Sequence, residues 1–393
     1  MSGLGWLEGE AAALKGQSLW RTSRTLTGAS TATPIVELDG ERLLLLCSNN
    51  YLGLASDPRL GEAAAAAARE HGVGSGASRL VSGTGELHVQ LEERLAAWKR
   101  SEDCVLFSSG YLANQGTIAA LVGRGDAVIS DALNHASIID GCRLSGAEIG
   151  VYPHADVAAC ARLLHKARAA GRRRLLLVTD SVFSMDGDLA PLGELVPLAR
   201  QHGAMVLVDE AHATGVLGQG RGALAQLGLE GQVDAIVGTC SKALGSVGGF
   251  VAGSRLLCDY LRNRARGYVF DTAPPPPVLA ATLRALAILE AEPALSERVC
   301  RHAQRLAAGL QALGYQVMRP DAAVVPVLVG DSAAALALGE RLRQRGVLAL
   351  AIRPPTVPPG TARLRLCPMA SHTDAQIEQV LAAFKAIRDE AAA

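Results

Sequence analysis

Lysine is scarce in this 393-residue sequence. Lys15, Lys99, Lys166, Lys242 and Lys385 are its five lysines, and the other 33 of its 38 basic residues are arginine. Chemistry that needs a primary amine therefore has five candidates. Neither charge is in surplus, because 38 Asp and Glu balance 38 Lys and Arg. A general binder of nucleic acid or another polyanion needs a basic excess, so that class is excluded. Aromatic residues make up only 4%, which also excludes base-stacking surfaces. No apolar run reaches the ~18–20 residues of a membrane span. The opening residues, MSGLGWLEGEAAALKG, lack the basic-then-apolar pattern of a secretory signal. Cysteines stand at 47, 104, 142, 160, 240, 258, 300 and 367, with no CxxC pair and mostly inside apolar runs. They read as buried thiols of a reducing compartment, not as a disulfide framework or a zinc site. The expectation is a cytoplasmic protein that binds neither nucleic acid nor membrane.

What the sequence does have is apolar residue (49%) and glycine (42 positions). The first supports a sizeable core, and the length suits two or three domains. The second signals tight turns or close backbone approach to a ligand. Residues 4–26 place Leu4, Leu7, Ala11, Leu14 and Leu19 on one helical face, and PIVELDGERLLLLC (34–47) reads as a hairpin turning at Asp39-Gly40. Asp57-Pro58 starts a helix, a Gly/Ser-rich loop covers 72–85, and ELHVQLEERLAAWKR is helical. Short apolar strands then alternate with helices: CVLF, AVIS, EIGVY, LLLVT, MVLVD, AIVG and GFVAG. This alternation predicts an α/β fold, a mostly parallel sheet with helices on both faces. After the PPPP run comes a long helix. The tail then reads YQVM, VVPVLV, a helix to about 345, VLALAI, ARLRL and a last helix opening with Thr373-x-x-Gln376, a capping-box spacing. Three parts follow: residues 1–46, an N-terminal helix and hairpin; 47–285, a large ligand-binding domain; and 286–393, a smaller C-terminal α+β domain.

Ligands of parallel sheets bind beyond the carboxyl ends of the strands. Five of these strands deliver polar groups there: Ser108, Ser109 and Tyr111; Asp131, Asn134 and His135; Asp180, Ser181 and Ser184; Asp209, Glu210 and His212; and Thr239, Ser241 and Lys242. That convergence predicts an active-site crevice. Lys15, Lys99, Lys166 and Lys385 lie on or beside helices and read as solvated charges. Lys242 follows a strand among small residues in TCSKALGSVGG. Desolvated there, its amine becomes a nucleophile or a base; the plainer alternative is a salt bridge to Asp209 or Glu210.

The neighbours of Lys242 suit a cofactor that needs such a lysine. Pyridoxal phosphate requires a Schiff-base amine, a carboxylate at the ring nitrogen, a phosphate cradle and a flat group against the ring. Asp209 suits the second role, Ser109-Gly110-Tyr111 leading into a helix the third, and His135 the fourth. Each piece alone also has an ordinary structural reading.

The motifs SNNYLGL, GSGASRLVSGT, LFSSGYLANQG, DALNHASIIDG, DSVFSMDGDLAPL, VDEAHATGVLGQGRG and TCSKALGSVGGF resemble those of the α-oxoamine synthases, in the family's order, from about residue 20 to 390. These are fold-type-I pyridoxal-phosphate enzymes that join an amino acid to an acyl-CoA and release carbon dioxide. The resemblance implies a fold-type-I transferase with a smaller C-terminal domain, and pyridoxal 5'-phosphate as cofactor. It assigns Lys242 the covalent link, Asp209 the ring nitrogen, and His135 the ring face and substrate orientation. It gives the phenolic oxygen to Ser184 and His212, and the phosphate to Gly110, Tyr111 and Thr239, with Thr272 from a partner chain. Arg353 and Asn49 then take the amino-acid carboxylate, while Arg21 and Thr356 contact substrate. Arg24 competes with Arg21, but the Leu-Trp-Arg order favours Arg21. Asp271 stands where the family commonly has a hydroxyl, and a carboxylate beside a phosphate is repulsive. The family is homodimeric with shared sites, loop 72–85 and the region of Thr272 crossing between chains. AIRPPTVPPGTARLRL (351–366) is most similar to the biotin-pathway branch. The implied partners are L-alanine and pimeloyl-CoA or pimeloyl-carrier protein. Two alternatives stay open: a branch that uses glycine or serine with another acyl-CoA, and an aminotransferase or aldolase of the same fold.

Overall fold

The computed structural model describes residues 3–27 and 32–392. Residues 1, 2 and 28–31 of the expected N-terminal segment, and Ala393 at the end of the expected C-terminal domain, lie outside the described residues. The chain divides into two compact units. One comprises Asn49–Ser184 and Asp188–Cys300; the other comprises Met1–Ser48, Met185–Gly187 and Arg301–Ala393.

The first unit is built on seven strands: β1 (Asp103–Phe107), β2 (Ala127–Asp131), β3 (Glu148–Tyr152), β4 (Leu175–Asp180), β5 (Met205–Asp209), β6 (Ala235–Thr239) and β7 (Gly249–Gly253). Their order in the sheet is β1-β7-β6-β5-β4-β2-β3. The strands from β6 to β3 run parallel, while β7 is antiparallel to both of its neighbours. Every residue of β2, β4 and β6 is buried, which requires cover on both faces and explains why these strands read as unbroken apolar runs. Edge strand β3 buries only Tyr152.

The helices between the strands begin on side-chain caps. Ser109 starts Gly110–Leu121, His135 starts Ala136–Ser145 and Asp156 starts Val157–Ala169; each side chain accepts from a backbone N–H of the first turn. Val105, Phe107, Ile118, Ile138, Val178 and Leu207 belong to one buried cluster between sheet and helices. Pro58–His71 starts as expected, with Asp57 accepting from Arg59 N at 2.9 Å and proline at the first helical position.

The second unit holds two small sheets. The hairpin Ile35–Leu38 and Glu41–Leu45 turns at Asp39 and Gly40, both at positive φ (53° and 80°), as a two-residue I′ turn requires. Leu26–Thr27 and Val347–Leu348 extend this sheet, and Val325–Gly330, Ala362–Leu366 and Leu350–Ile352 make an antiparallel three-stranded sheet. Leu306, Leu310, Val327, Leu364, Ile377 and Phe384 share its core. The last helix, Asp374–Ala392, has the expected capping box: Thr373 Oγ1 accepts from Gln376 N at 3.2 Å, and Gln376 Oε1 accepts from Thr373 N at 2.9 Å.

Three expectations need correction. The N-terminal helix runs only from Leu7 to Gly16 and buries no residue, because Gly16 and the positive φ of Ser18 (55°) end it. VLALAI is two strands, in different sheets, on either side of Ala349. YQVM forms no strand beyond a single bridge, Val317 to Val327. Among the described residues no helix is long and apolar enough to cross a membrane.

Candidate active site

At the carboxyl ends of β1, β5 and β6 lies a cavity of about 240 Å³. Its walls are Ser109, Gly110, Tyr111, Asn114, His135, Ser137, Asp180, Asp209, Ala211, His212, Thr239, Ser241 and Lys242. A larger cavity of about 590 Å³ lies near the opposite ends of these strands, but its walls contain neither lysine nor histidine. Size does not select the site; the chemistry of the walls does.

Asp209 ends β5 and is 4% exposed. Its Oδ2 accepts from Asn114 Nδ2 at 2.6 Å and its Oδ1 from Ala211 N at 2.7 Å. Asn114 Nδ2 also donates to Ser137 Oγ at 2.9 Å, so the amide ties Asp209 to the first turn of the next helix. Asp180 ends β4 beside it and accepts from His135 N at 2.7 Å. Burial, and then the charge of Asp209, raises the Asp180 carboxyl well above the usual carboxylate range. His135 keeps Nδ1 against Ser137 Oγ at 2.7 Å, and desolvation in the pocket lowers its pKa, with Asp209 opposing and Lys242 reinforcing.

Gly110 opens the helix after β1. A Cβ there would meet the Thr239 side chain at 3.3 Å, so a methyl group would crowd this helix start at the cavity wall. Thr239 Oγ1 bonds Ser241 Oγ at 2.6 Å and Gly248 O at 2.9 Å, which shapes the turn that presents Lys242. A lysine amine, a strand-end carboxylate and a helix N-terminus with no Cβ in its way thus share one cavity, the set that pyridoxal phosphate requires.

Seven of the residues given roles by the family resemblance line this cavity: Gly110, Tyr111, His135, Asp209, His212, Thr239 and Lys242. The Tyr111 hydroxyl donates to Asp140 Oδ2. Ser184, Asn49 and Thr272 are not among its walls. Ser184 sits in the turn closed by the Val182–Leu189 bridge. Half-buried His154 anchors that turn, with Nδ1 at 3.1 Å from Asp131 Oδ1 and Nε2 at 2.8 Å from Asp188 Oδ2. The two carboxylates lift His154 to about 10. Thr272 pairs with Ser78, and Asp271 accepts from Ser108 Oγ and Thr272 N, so its carboxylate is spent within the protein.

Arg21, Arg353 and Thr356 form a separate group in the other unit. Arg21 Nη2 donates to Pro354 O at 3.2 Å and lies 3.4 Å from Thr356 Oγ1. Arg353 is 8% exposed; its Nη1 donates to Ser18 O, and its buried Nε has no partner among the described residues.

One expectation about lysine fails. Lys99 is not solvated: its side chain is 1% exposed and Nζ lies 2.7 Å from Glu210 Oε2 and 2.9 Å from Thr214 Oγ1. This pair also takes Glu210 away from Lys242. Asn114 and Asp180 were not assigned roles from the sequence. Asp180 stood among the strand-end polar residues, whereas Asn114, one turn into its helix, gave no signal.

Residues 41–384 match the family model described as aminotransferase class I and II. The chain is 50% identical over 377 residues, 95% of each chain, to the 8-amino-7-oxononanoate synthase of Geobacter metallireducens. Among solved structures it is similar to the serine palmitoyltransferase of S. paucimobilis holding pyridoxal phosphate (TM-score 0.91, 36% identity, 99% and 98% of the two chains). It is also similar to the 8-amino-7-oxononanoate synthase of Francisella tularensis (TM-score 0.76, 26% identity, 89% and 99%). With the cavity's lysine, carboxylate and helix N-terminus in place, the chain belongs to the 8-amino-7-oxononanoate synthases, pyridoxal-phosphate-dependent acyltransferases of the fold-type-I α-oxoamine synthase family.

Proposed function

We propose that this enzyme condenses L-alanine with pimeloyl-CoA, or with pimeloyl-carrier protein, to give 8-amino-7-oxononanoate, free thiol and carbon dioxide in biotin biosynthesis. The observation that carries the reading is the half-identity, along nearly the whole chain, to proteins of that name.

Bound pyridoxal phosphate supplies a cationic ring that accepts the electron pair left at the amino acid's α-carbon. Lys242 would hold the cofactor through its ε-amine, and the same amine would serve as the base that takes the α-proton. Asp209 would keep the ring nitrogen protonated, and Asn114 keeps that carboxylate oriented. His135 would cover the ring face and orient substrate. Ser184 and His212 would donate to the phenolic oxygen. Gly110, Tyr111 and Thr239 would bind the phosphate, with Thr272 of a second copy. Arg353 and Asn49 hold the amino-acid carboxylate, and Arg21 and Thr356 contact substrate. The orphaned Arg353 Nε supports an anion as its partner. Across the whole condensation Lys242 would take one proton from the α-carbon and return one to it, while thiol and carbon dioxide are the two groups released. The working form is a cytoplasmic homodimer, in which loop 72–85 and the region of Thr272 cross to the partner.

The structural likeness to serine palmitoyltransferase favours one second reading, a condensation of L-serine with a long acyl-CoA. Thiol release decides between them. Release that needs both L-alanine and pimeloyl-CoA, with a matching amino ketone, supports the proposal. Release with L-serine and palmitoyl-CoA instead rejects it in favour of the second reading. No release with any pair of amino acid and acyl-CoA or acyl-carrier protein rejects both.

A further inference from the structure

Tyr51 lies in the SNNYLGL segment and has no part in the chemistry above. It is fully buried, at 0% exposed, and is not among the cavity walls. Its hydroxyl lies 2.6 Å from Nδ1 of His212, which does line the cavity, and 3.3 Å from Asn49 Oδ1. The two rings stand 6.0 Å apart at 57°, so the contact is made edge-on through the polar atoms. The turns that carry them are packed together: a Cβ on Gly215 would lie 3.4 Å from Leu52 and 2.4 Å from Ala243, the neighbour of Lys242.

A neutral imidazole has one donor and one acceptor nitrogen, and the bond at one decides the role of the other. At 2.6 Å the contact is short for a ring N–H donating to oxygen, typically ~2.9–3.0 Å, and falls in the range of hydroxyl donors. That length fits the arrangement in which the Tyr51 hydroxyl donates to Nδ1. The 3.3 Å approach of the same hydroxyl to Asn49 Oδ1 is the longer of its two contacts, so the single phenol proton goes to His212.

We propose that Tyr51 is a positioning residue that fixes His212 as the Nε2–H tautomer. Tyr51 and His212 then form a one-way pair of donors that ends at the cavity. His212 presents a proton there, so it stabilises an anionic oxygen and does not accept from a neutral one. The inference deepens the reading that His212 faces the cofactor's phenolic oxygen, and rests on it. The acceptor class is an oxyanion on an aromatic ring.

The test is the nitrogen NMR spectrum of His212 in the cofactor-loaded enzyme without amino acid or acyl donor. It is independent of which substrates the enzyme takes. A failure of alanine and pimeloyl-CoA to react would leave this measurement unaffected. The expected wild-type spectrum has a protonated Nε2 and an Nδ1 shifted as a hydrogen-bond acceptor. In Tyr51→Phe, which removes only the hydroxyl, both tautomers should appear. The visible absorption of the bound cofactor should then titrate at a different pH, and kcat should fall about tenfold with KM for the amino acid unchanged. Protonated Nδ1 in the wild type, whether alone or in an imidazolium, overturns the proposal without any variant. So does an unchanged Nε2–H tautomer in Tyr51→Phe.

Discussion

Two of the five lysines sit in protein interior or at its edge, and their neighbours divide them by role. Lys99 is held by Glu210, Thr214 and the Arg221 carbonyl, so its three protons are committed. Lys242 stands in a cavity instead. Lys99→Met leaves Glu210 as an uncompensated buried charge and should cost about 3–5 kcal/mol in urea unfolding, much of it recovered in Lys99→Met/Glu210→Leu. Lys242→Ala should fold normally, lack the absorption of lysine-linked cofactor and show no turnover above background. His154 carries a pH signature. Its folded pKa of about 10 exceeds the ordinary 6.5, so the stability it contributes is complete below pH 6.5 and is lost as pH rises towards 10. Denaturant midpoints measured across that window should fall in the wild type and fall less in His154→Gln. At this scale the sequence was informative where position and type coincide, as at Lys242 and Asp209 after apolar strands. It was silent where tertiary packing decides: nothing about a lysine at a helix end announces that Glu210 will meet it, and nothing in SNNYLGL announces a histidine partner for Tyr51.

Elements were legible in proportion to how much their own residues decide them. The buried parallel strands read directly, because cover on two faces demands continuous apolar runs. The hairpin read from Asp39-Gly40 and the last helix from its capping box. Thr373→Ala should lower stability by about 1 kcal/mol, visible as a small drop in thermal midpoint, since it removes the acceptor of Gln376 N. The N-terminal helix misled because an amphipathic pattern does not say whether anything buries it. VLALAI misled because periodicity does not assign partners. The start of the helix Gly110–Leu121 lines the candidate site. Gly110→Ala puts a methyl 3.3 Å from Thr239. It should weaken cofactor binding at least about fivefold, measured by fluorescence titration, while the unfolding midpoint moves little.

For the molecule as a whole, balanced charge and burial set the solution behaviour. With a sequence pI near 7.1 there is no net charge to keep copies apart at neutral pH. All eight cysteines are free, and burial lifts Cys142, Cys160, Cys240 and Cys258 to about 12. A disulfide reagent at pH 8 should therefore react slowly with the native protein and release eight equivalents once it is denatured. One strand has a further consequence, for the order of assembly. β7 lies between β1 and β6, pairing Gly249 with both Phe107 and Thr239. A Cβ on Gly249 would lie 2.4 Å from Ser109 O and 2.5 Å from Gly110 N. The first strand of the sheet thus stays unpaired until the last has left the ribosome, and the Ser109–Gly110 turn at the cavity closes against that late arrival. Contacts so distant along the chain form slowly. Cofactor capture by a nascent or refolding chain should therefore report completion of the sheet, lagging behind the return of helical signal.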